Sequence, residues 1–249
     1  MQLNIIKNDS YKQCTELIYF LLFGVLIGYF RKMFENSSLK YSLSLFLYEL
    51  VLLIIFFAFG ISPLLPVYIG TFLKYFTSLM LLGNYLILRY LSKFNTRQVQ
   101  GKINEIKLVA YSLLIFVIGA FFFHCISFFL GAPLFENFIQ TLLFACLLSS
   151  LAIFPLSVVN KGKWEVMVDD LANSIDIKSC LADSLKFISC STIIGGWLGA
   201  FPIPLDWDRD WQTWPITCTV GAIAGNLSGL WCVIFASSGL VDSIKQKIM

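Results

Sequence analysis

Seven apolar runs occupy most of this chain, and their length constrains the fold more than any other feature. They are Leu17–Phe30, Leu43–Gly60, Val67–Leu91, Leu108–Leu130, Phe138–Val159, Leu185–Phe201 and Pro215–Leu240. A hydrocarbon layer about 30 Å thick is crossed by roughly 20 apolar residues in a helix. Every backbone polar group must be satisfied inside the segment, so each run reads as a helix. Strands of a membrane barrel would alternate with period two, and these runs are apolar all round. Of the 249 residues, 58% are hydrophobic and 13% charged, about half the charge fraction of a soluble domain. The expectation is an all-α, polytopic transmembrane helix bundle, one integral membrane domain over residues 1–249. It has six crossings plus one possible N-terminal membrane segment.

Proline marks the borders, because it lacks the N–H that continues a helix. Pro63 and Pro66 separate the second and third runs, Pro133 ends the fourth, and Pro202 and Pro204 end the sixth. Pro215 suits the first turn of the seventh, and Pro155 inside the fifth predicts a kink.

Charge sets the orientation. If runs two to seven each cross once, one side collects Arg31, Lys32, Lys40, Arg89, Lys93, Arg97, Lys102, Lys107, Lys161, Lys163, Lys178, Lys186, Lys245 and Lys247. The other side receives Arg209 alone. The positive-inside rule makes the first side cytosolic. The first run is short and bounded by Glu16 and Arg31. It either crosses or lies in the interface, and the side of the N-terminus follows from which. No small-x-small cleavage site precedes Arg31, which argues against a cleaved signal peptide.

The stretch Gly195–Gly229 is the most distinctive. Gly195 and Gly199 precede a charged, Trp-rich turn; Gly221, Gly225 and Gly229 follow it. Four-residue spacing places small residues on one helix face, where another helix approaches closely in lipid. Asn226 on that face would act as hydrogen-bonding glue. The expectation is a hairpin whose glycine faces dock a membrane helix of another protein. Trp207, Trp211 and Trp214 belong at the membrane–water boundary. Asp206, Asp208 and Asp210 alternate around Arg209. Alternating carboxylates can hold a divalent cation, but the hydrogen-bonded turn is favoured, because no histidine or further ligand is near.

Three ionisable groups fall inside runs. Glu49 and Lys74 lie at similar depths in adjacent runs and suggest a structural ion pair, or a lysine reaching for the interface, ahead of an ion relay. His124, the only histidine, reads as an interhelical hydrogen-bonding residue. The seven cysteines are scattered with no CxxC, which makes a zinc site weak and buried free thiols the plainer reading. Asn8, Asn36 and Asn226 head glycosylation-like triplets, a pattern that arises by chance. In the connection Asn160–Ser184, Val166, Met167, Leu171 and Ile175 recur at helical intervals and suggest an amphipathic surface helix. No catalytic, cofactor-binding or metal-binding motif is found, and a net charge of +3 gives no reason to invoke nucleic acid.

The sequence FPIPLDWDRDWQTWPITC, beginning at Phe201, resembles the signature turn of the PIG-F family. The likeness runs upstream through Ser191–Ala200 and downstream through Thr217–Gly225. Weaker likeness covers Phe123–Cys125 with Phe129–Leu134, and Gln140–Ala145 with Leu148 and Ser149. In all it spans roughly residues 43–240. Asp210 stands where the family pattern has proline, and the first run looks additional to six family crossings. The resemblance implies an endoplasmic reticulum membrane protein that binds and stabilises larger catalytic subunits. Those subunits add ethanolamine phosphate to the glycosylphosphatidylinositol (GPI) precursor on the lumenal side. It supplies no catalytic residue and no cofactor. Two rival readings remain at this point. One is a lipid-headgroup transferase using Asp206, Asp208 and Arg209. The other is a lipid or proton transporter lined by Glu49, Lys74 and His124.

Overall fold

Helices account for all the regular structure among the described residues. The structure, a computed structural model, describes residues 36–61, 63–64, 66–92, 104–129, 132–133, 137–172, 175, 181–205 and 209–238. The chain divides into two units, Met1–Asn36 and Ser37–Met249; the architecture below is that of the second. The first apolar run, 17–30, lies outside the described residues.

Helix α1 is Ser37–Ala58, α2 Pro66–Ser92 and α3 Glu105–Phe129. Helix α4 covers Phe138–Val159, with its middle, Ser149–Ile153, wound as a π-helix. Trp164–Ala172 forms α5, Leu181–Leu198 α6 and Ile216–Ser237 α7, with a single 3-10 turn at Asp210–Gln212. Pro66 heads α2, one residue before the expected start at Val67, its missing N–H falling where a helix has no internal partner for one. Pro215 stands one residue earlier than expected, as the N-cap of α7.

Five helices, α1 to α4 and α7, are long and apolar enough to cross a membrane. These five are the helices that qualify among the described residues, so the expected count of six crossings is not confirmed by length and composition. The sixth run folds as α6, only 18 residues long, with Asp183 and Lys186 in its first half. The two pair at 2.5 Å, with the Lys186 side chain buried. Its polar beginning, not its glycine-rich end, keeps α6 below the others.

The core forms where helices share buried faces. Helix α1 packs on α2 and α7, and α4 packs on α2, α3 and α6. The α1–α2 seam is polar toward the start of α1 and aromatic toward its end. The Tyr41 hydroxyl donates to Asn84 Oδ1 at 2.6 Å, and that of Tyr48 donates to the Leu79 carbonyl at 2.7 Å. Phe56, Phe72 and Phe76 cluster with ring centroids 4.9 to 6.0 Å apart. Arg89 and Glu105 form an ion pair joining the end of α2 to the start of α3.

Helix α4 is the most buried span, and Pro155 shapes it. Proline cannot supply its own helical hydrogen bond. The π winding ends two residues before it, and hydroxyls of α4 and α6 lie on backbone carbonyls across the packed faces. The Ser189 hydroxyl of α6 lies 2.7 Å from the Ala152 carbonyl, and Ser149 of α4 donates to the Phe116 carbonyl of α3 at 2.7 Å. Gly119 permits that approach: a Cβ there would stand 2.7 Å from both Ser149 Oγ and Ile153 Cδ1. The chain leaves α4 through Lys161 and Gly162, both with positive φ, the conformation glycine tolerates best. In α5, Met167 is buried while Trp164, Val166 and Val168 are exposed, so the expected amphipathic helix turns inward on Met167 rather than on Val166. Ile175 falls beyond its end.

Candidate functional site

The glycines of the α6–α7 hairpin face one another. A Cβ on Gly195 would collide with the Gly221 carbonyl and come within 2.8 Å of Gly225 Cα; one on Gly225 would collide with the Ser191 carbonyl. A Cβ on Gly199 would strike the Thr217 carbonyl, and one on Gly221 the Gly195 carbonyl. Gly229 completes the series, 3.1 Å from Ile188 Cα in the same sense. The two helices therefore run antiparallel in backbone contact, from Gly199 beside Thr217 to Ile188 beside Gly229.

This corrects the expectation that these glycines await a helix of another protein. The chain's own hairpin consumes the face. Helices joined by a short turn meet at an effective concentration that a separate molecule does not match. Asn226 is fully buried, yet neither amide atom has a hydrogen-bond partner. The interhelical bond expected of it is not formed.

The turn between the helices is organised by Gln212, which the sequence reading passed over. Its Nε2 donates to the carbonyls of Pro202 at 2.7 Å and Leu205 at 2.8 Å, while its Oε1 accepts the Arg209 backbone N–H at 3.0 Å. One carboxamide thus holds both limbs of the turn. Trp214 also turns inward: its indole N–H donates to Thr141 Oγ1 of α4 at 2.8 Å. Its ring meets Phe144 edge-on, with centroids 5.6 Å apart. Trp211 is half-buried against the core, while Arg209 and Asp210 are exposed. Asp206, Trp207 and Asp208 lie outside the described residues. Among the described residues, no three of His, Cys, Asp and Glu come together.

The intramembrane polar residues are dispersed. Glu49 is fully buried and neither carboxyl oxygen has a hydrogen-bond partner. Lys74 is exposed, its Nζ 5.7 Å from the Tyr75 ring centroid. The expected ion pair is absent because the two side chains leave their helices in different directions. His124 is buried, and its nitrogens have no hydrogen-bond partner. It sits edge-on between Phe128 and Phe138, 4.4 and 5.0 Å away; aromatic packing replaces the expected interhelical bond. Cys125, Cys146, Cys190, Cys218 and Cys232 are free thiols. Cys218 is buried, whereas Cys190 and Cys232 are exposed, contrary to the expectation of burial. Cys14 and Cys180 lie outside the described residues.

The site is thus a packing device. A hairpin in backbone contact ends in a cross-braced turn that is pinned to α4. Thr141 and Gln212 were not legible as its braces, since single hydroxyl and carboxamide side chains carry no spacing signal.

The sequence matches the family profile "GPI biosynthesis protein family Pig-F" over residues 17–233. The match begins at the first apolar run, which corrects the expectation that this run is additional to the family. A human protein named "GPI ethanolamine phosphate transferase, stabilizing subunit" is 39% identical over 115 residues, covering 46% of this chain and 52% of that one. "Glycosylphosphatidylinositol anchor biosynthesis protein 11" of Debaryomyces hansenii is 37% identical over 107 residues, covering 43% and 45%. A Schizosaccharomyces pombe "PIGF/3-ketodihydrosphingosine reductase fusion protein" is 41% identical over 99 residues, covering 38% and 19%. The chain spans about half the length, or less, of the curated relatives it matches. No solved structure matches it. With the profile running through five apolar spans and the braced glycine hairpin, the chain belongs to the Pig-F family of GPI biosynthesis proteins.

Proposed function

We propose that this chain is a non-catalytic membrane subunit that binds and stabilises a catalytic ethanolamine-phosphate transferase of GPI-anchor synthesis. Its proposed place is the endoplasmic reticulum membrane, with the Lys/Arg-rich side cytosolic and the Trp-rich turn lumenal. The observation that carries the reading is the name borne by the human relative, a stabilizing subunit of that transferase. The character of the hairpin supports it, because glycine contacts and a hydrogen-bonded turn build a rigid packing surface.

In this reading α6 is a sixth crossing. It runs beside α7, a helix long and apolar enough to span, in contact from Ile188 to Gly199. The partner then meets a surface of the bundle other than the glycine face.

The test is removal and restoration of the chain in cells that make GPI anchors. The catalytic subunit should fall in abundance without it and return with it, and GPI precursors lacking ethanolamine phosphate should accumulate meanwhile. Transfer of ethanolamine phosphate from phosphatidylethanolamine to a GPI precursor by the purified chain alone would overturn the proposal.

A further inference from the structure

On the side of the Trp-rich turn a cleft of about 340 Å³ opens between α3, α4, α6 and the start of α7. Its wall includes Phe123, Phe144, Leu148, Ile194, Trp197 and Trp214. No charged residue lines it. Its hydroxyl, on Ser127, already donates to the Phe123 carbonyl at 2.9 Å, and the Trp214 indole N–H is taken by Thr141. Nothing in the wall asks for a polar ligand.

The dimensions select the occupant. Along α6 and the turn after it the lining runs from Ile193 to Ala200, about 10 Å at helical rise. That fits within one leaflet, half of a hydrocarbon layer of about 30 Å. A helix about 10 Å across would fill about 800 Å³ along that length, more than twice the cleft. A single aliphatic chain is slender enough. The turn over this end carries Arg209, the one Lys or Arg between α6 and α7; it is exposed, and a guanidinium suits a phosphate. We infer that this cleft holds one acyl chain of a bilayer glycerophospholipid from the leaflet on the side of the Trp-rich turn. The seated chain fills the seam among four helices, so the lipid acts as part of the bundle.

Gly196 is the place to test this. It lines the cleft, and a Cβ there meets Ala222, Leu148 and Phe144 at 3.5 to 3.7 Å, ordinary contact. A longer side chain at this position would enter the space. The full chain, in membranes with whatever partners it has, is irradiated with phosphatidylcholine carrying a diazirine in its acyl chain. Peptides bearing Trp197 and Trp214 should be labelled well above the exposed α1 face around Phe57. Gly196→Leu should lower that labelling roughly tenfold, the effect of displacing about two buried methylenes, and leave the α1 signal unchanged. Ala200→Leu, at a half-buried cleft position, should act in the same direction and serves if the first variant does not fold. Labelling equal to that of α1, or labelling insensitive to both variants, would each overturn the inference.

Discussion

Trp214 and Thr141, 73 residues apart, are joined by a 2.8 Å hydrogen bond from the indole N–H to the threonine hydroxyl. The bond fastens the end of the Trp-rich turn to the first turn of α4. Thr141 in turn donates to the Asn137 carbonyl at 2.9 Å, so the indole completes a short relay that closes this edge. Trp214→Phe keeps much of the ring packing on Phe144 and removes the donor. A loss of about 1 kcal/mol is expected, the net worth of one such bond. Thermal unfolding in detergent, run as a double-mutant cycle with Thr141→Val, measures it. An additive cycle would show that the bond contributes nothing.

Gln212 has a more demanding role, since one side chain satisfies two carbonyls and one N–H. Gln212→Glu retains shape and acceptor but replaces the donating amide with an oxygen facing the carbonyls of Pro202 and Leu205. The ionised form is repelled there, while the protonated form can still donate. The introduced carboxyl is therefore expected to titrate above the usual 4.3 or so of a glutamate. A group whose folded pKa is raised contributes stability below its unfolded pKa and loses it as pH rises through the folded value. The variant should be nearer wild type at pH 5 than at pH 8. Limited proteolysis of the turn at the two pH values checks this, and equal cleavage at both would refute it.

At the hairpin, alanine itself should be harmful. A Cβ on Gly225 meets backbone, the Ser191 carbonyl and Gly195 Cα, neither of which can rotate aside. Gly225→Ala should separate α6 from α7 and reduce the yield of monodisperse chain before any partner is considered. Gly70→Ala is the matched control. Nothing lies within 4 Å of its Cβ, and alanine favours a helix by up to about 1 kcal/mol. Size-exclusion profiles of the two variants should diverge; coinciding profiles would contradict the contact geometry.

Legibility in the sequence followed the range of the interactions involved. Apolar length and proline act locally, which is why α1 to α4 and α7 lie where the runs predict. The shortfall at α6 was also local. Asp183 and Lys186 sit just outside or at the edge of the apolar run but inside the helix. The four-residue glycine spacing reported a smooth face and said nothing of what covers it, which depends on the turn bringing α6 back along α7. Counting residues placed Glu49 and Lys74 at similar depths but left their directions open. Phe72, Leu73, Phe76, Thr77 and Met80 define the buried side of α2, and Lys74 falls off it. Likewise a tryptophan near a boundary reveals its depth, not whether its ring is left exposed, as for Trp197, or packs on another helix, as for Trp214.

Glu49 offers the sharpest separation between a scaffold and a transporter. It stands near the middle of α1, fully buried, with both carboxyl oxygens unpartnered. Burying such a group without a hydrogen bond costs about 1 to 3 kcal/mol by mutational measures. A side chain held there only by packing is better replaced by an apolar one of similar size. Glu49→Leu should leave the folded yield intact or raise the unfolding temperature, with recovery of the catalytic subunit undiminished. A residue on a proton or ion path behaves differently, since even the isosteric Glu49→Gln abolishes transport while stability holds. Liposome flux measurements on both variants, beside thermal unfolding, decide the matter. Flux through the wild-type chain that disappears in Glu49→Gln would assign this carboxyl to transport, and a more stable Glu49→Leu that still supports the transferase would leave it as a tolerated polar fault in a scaffold.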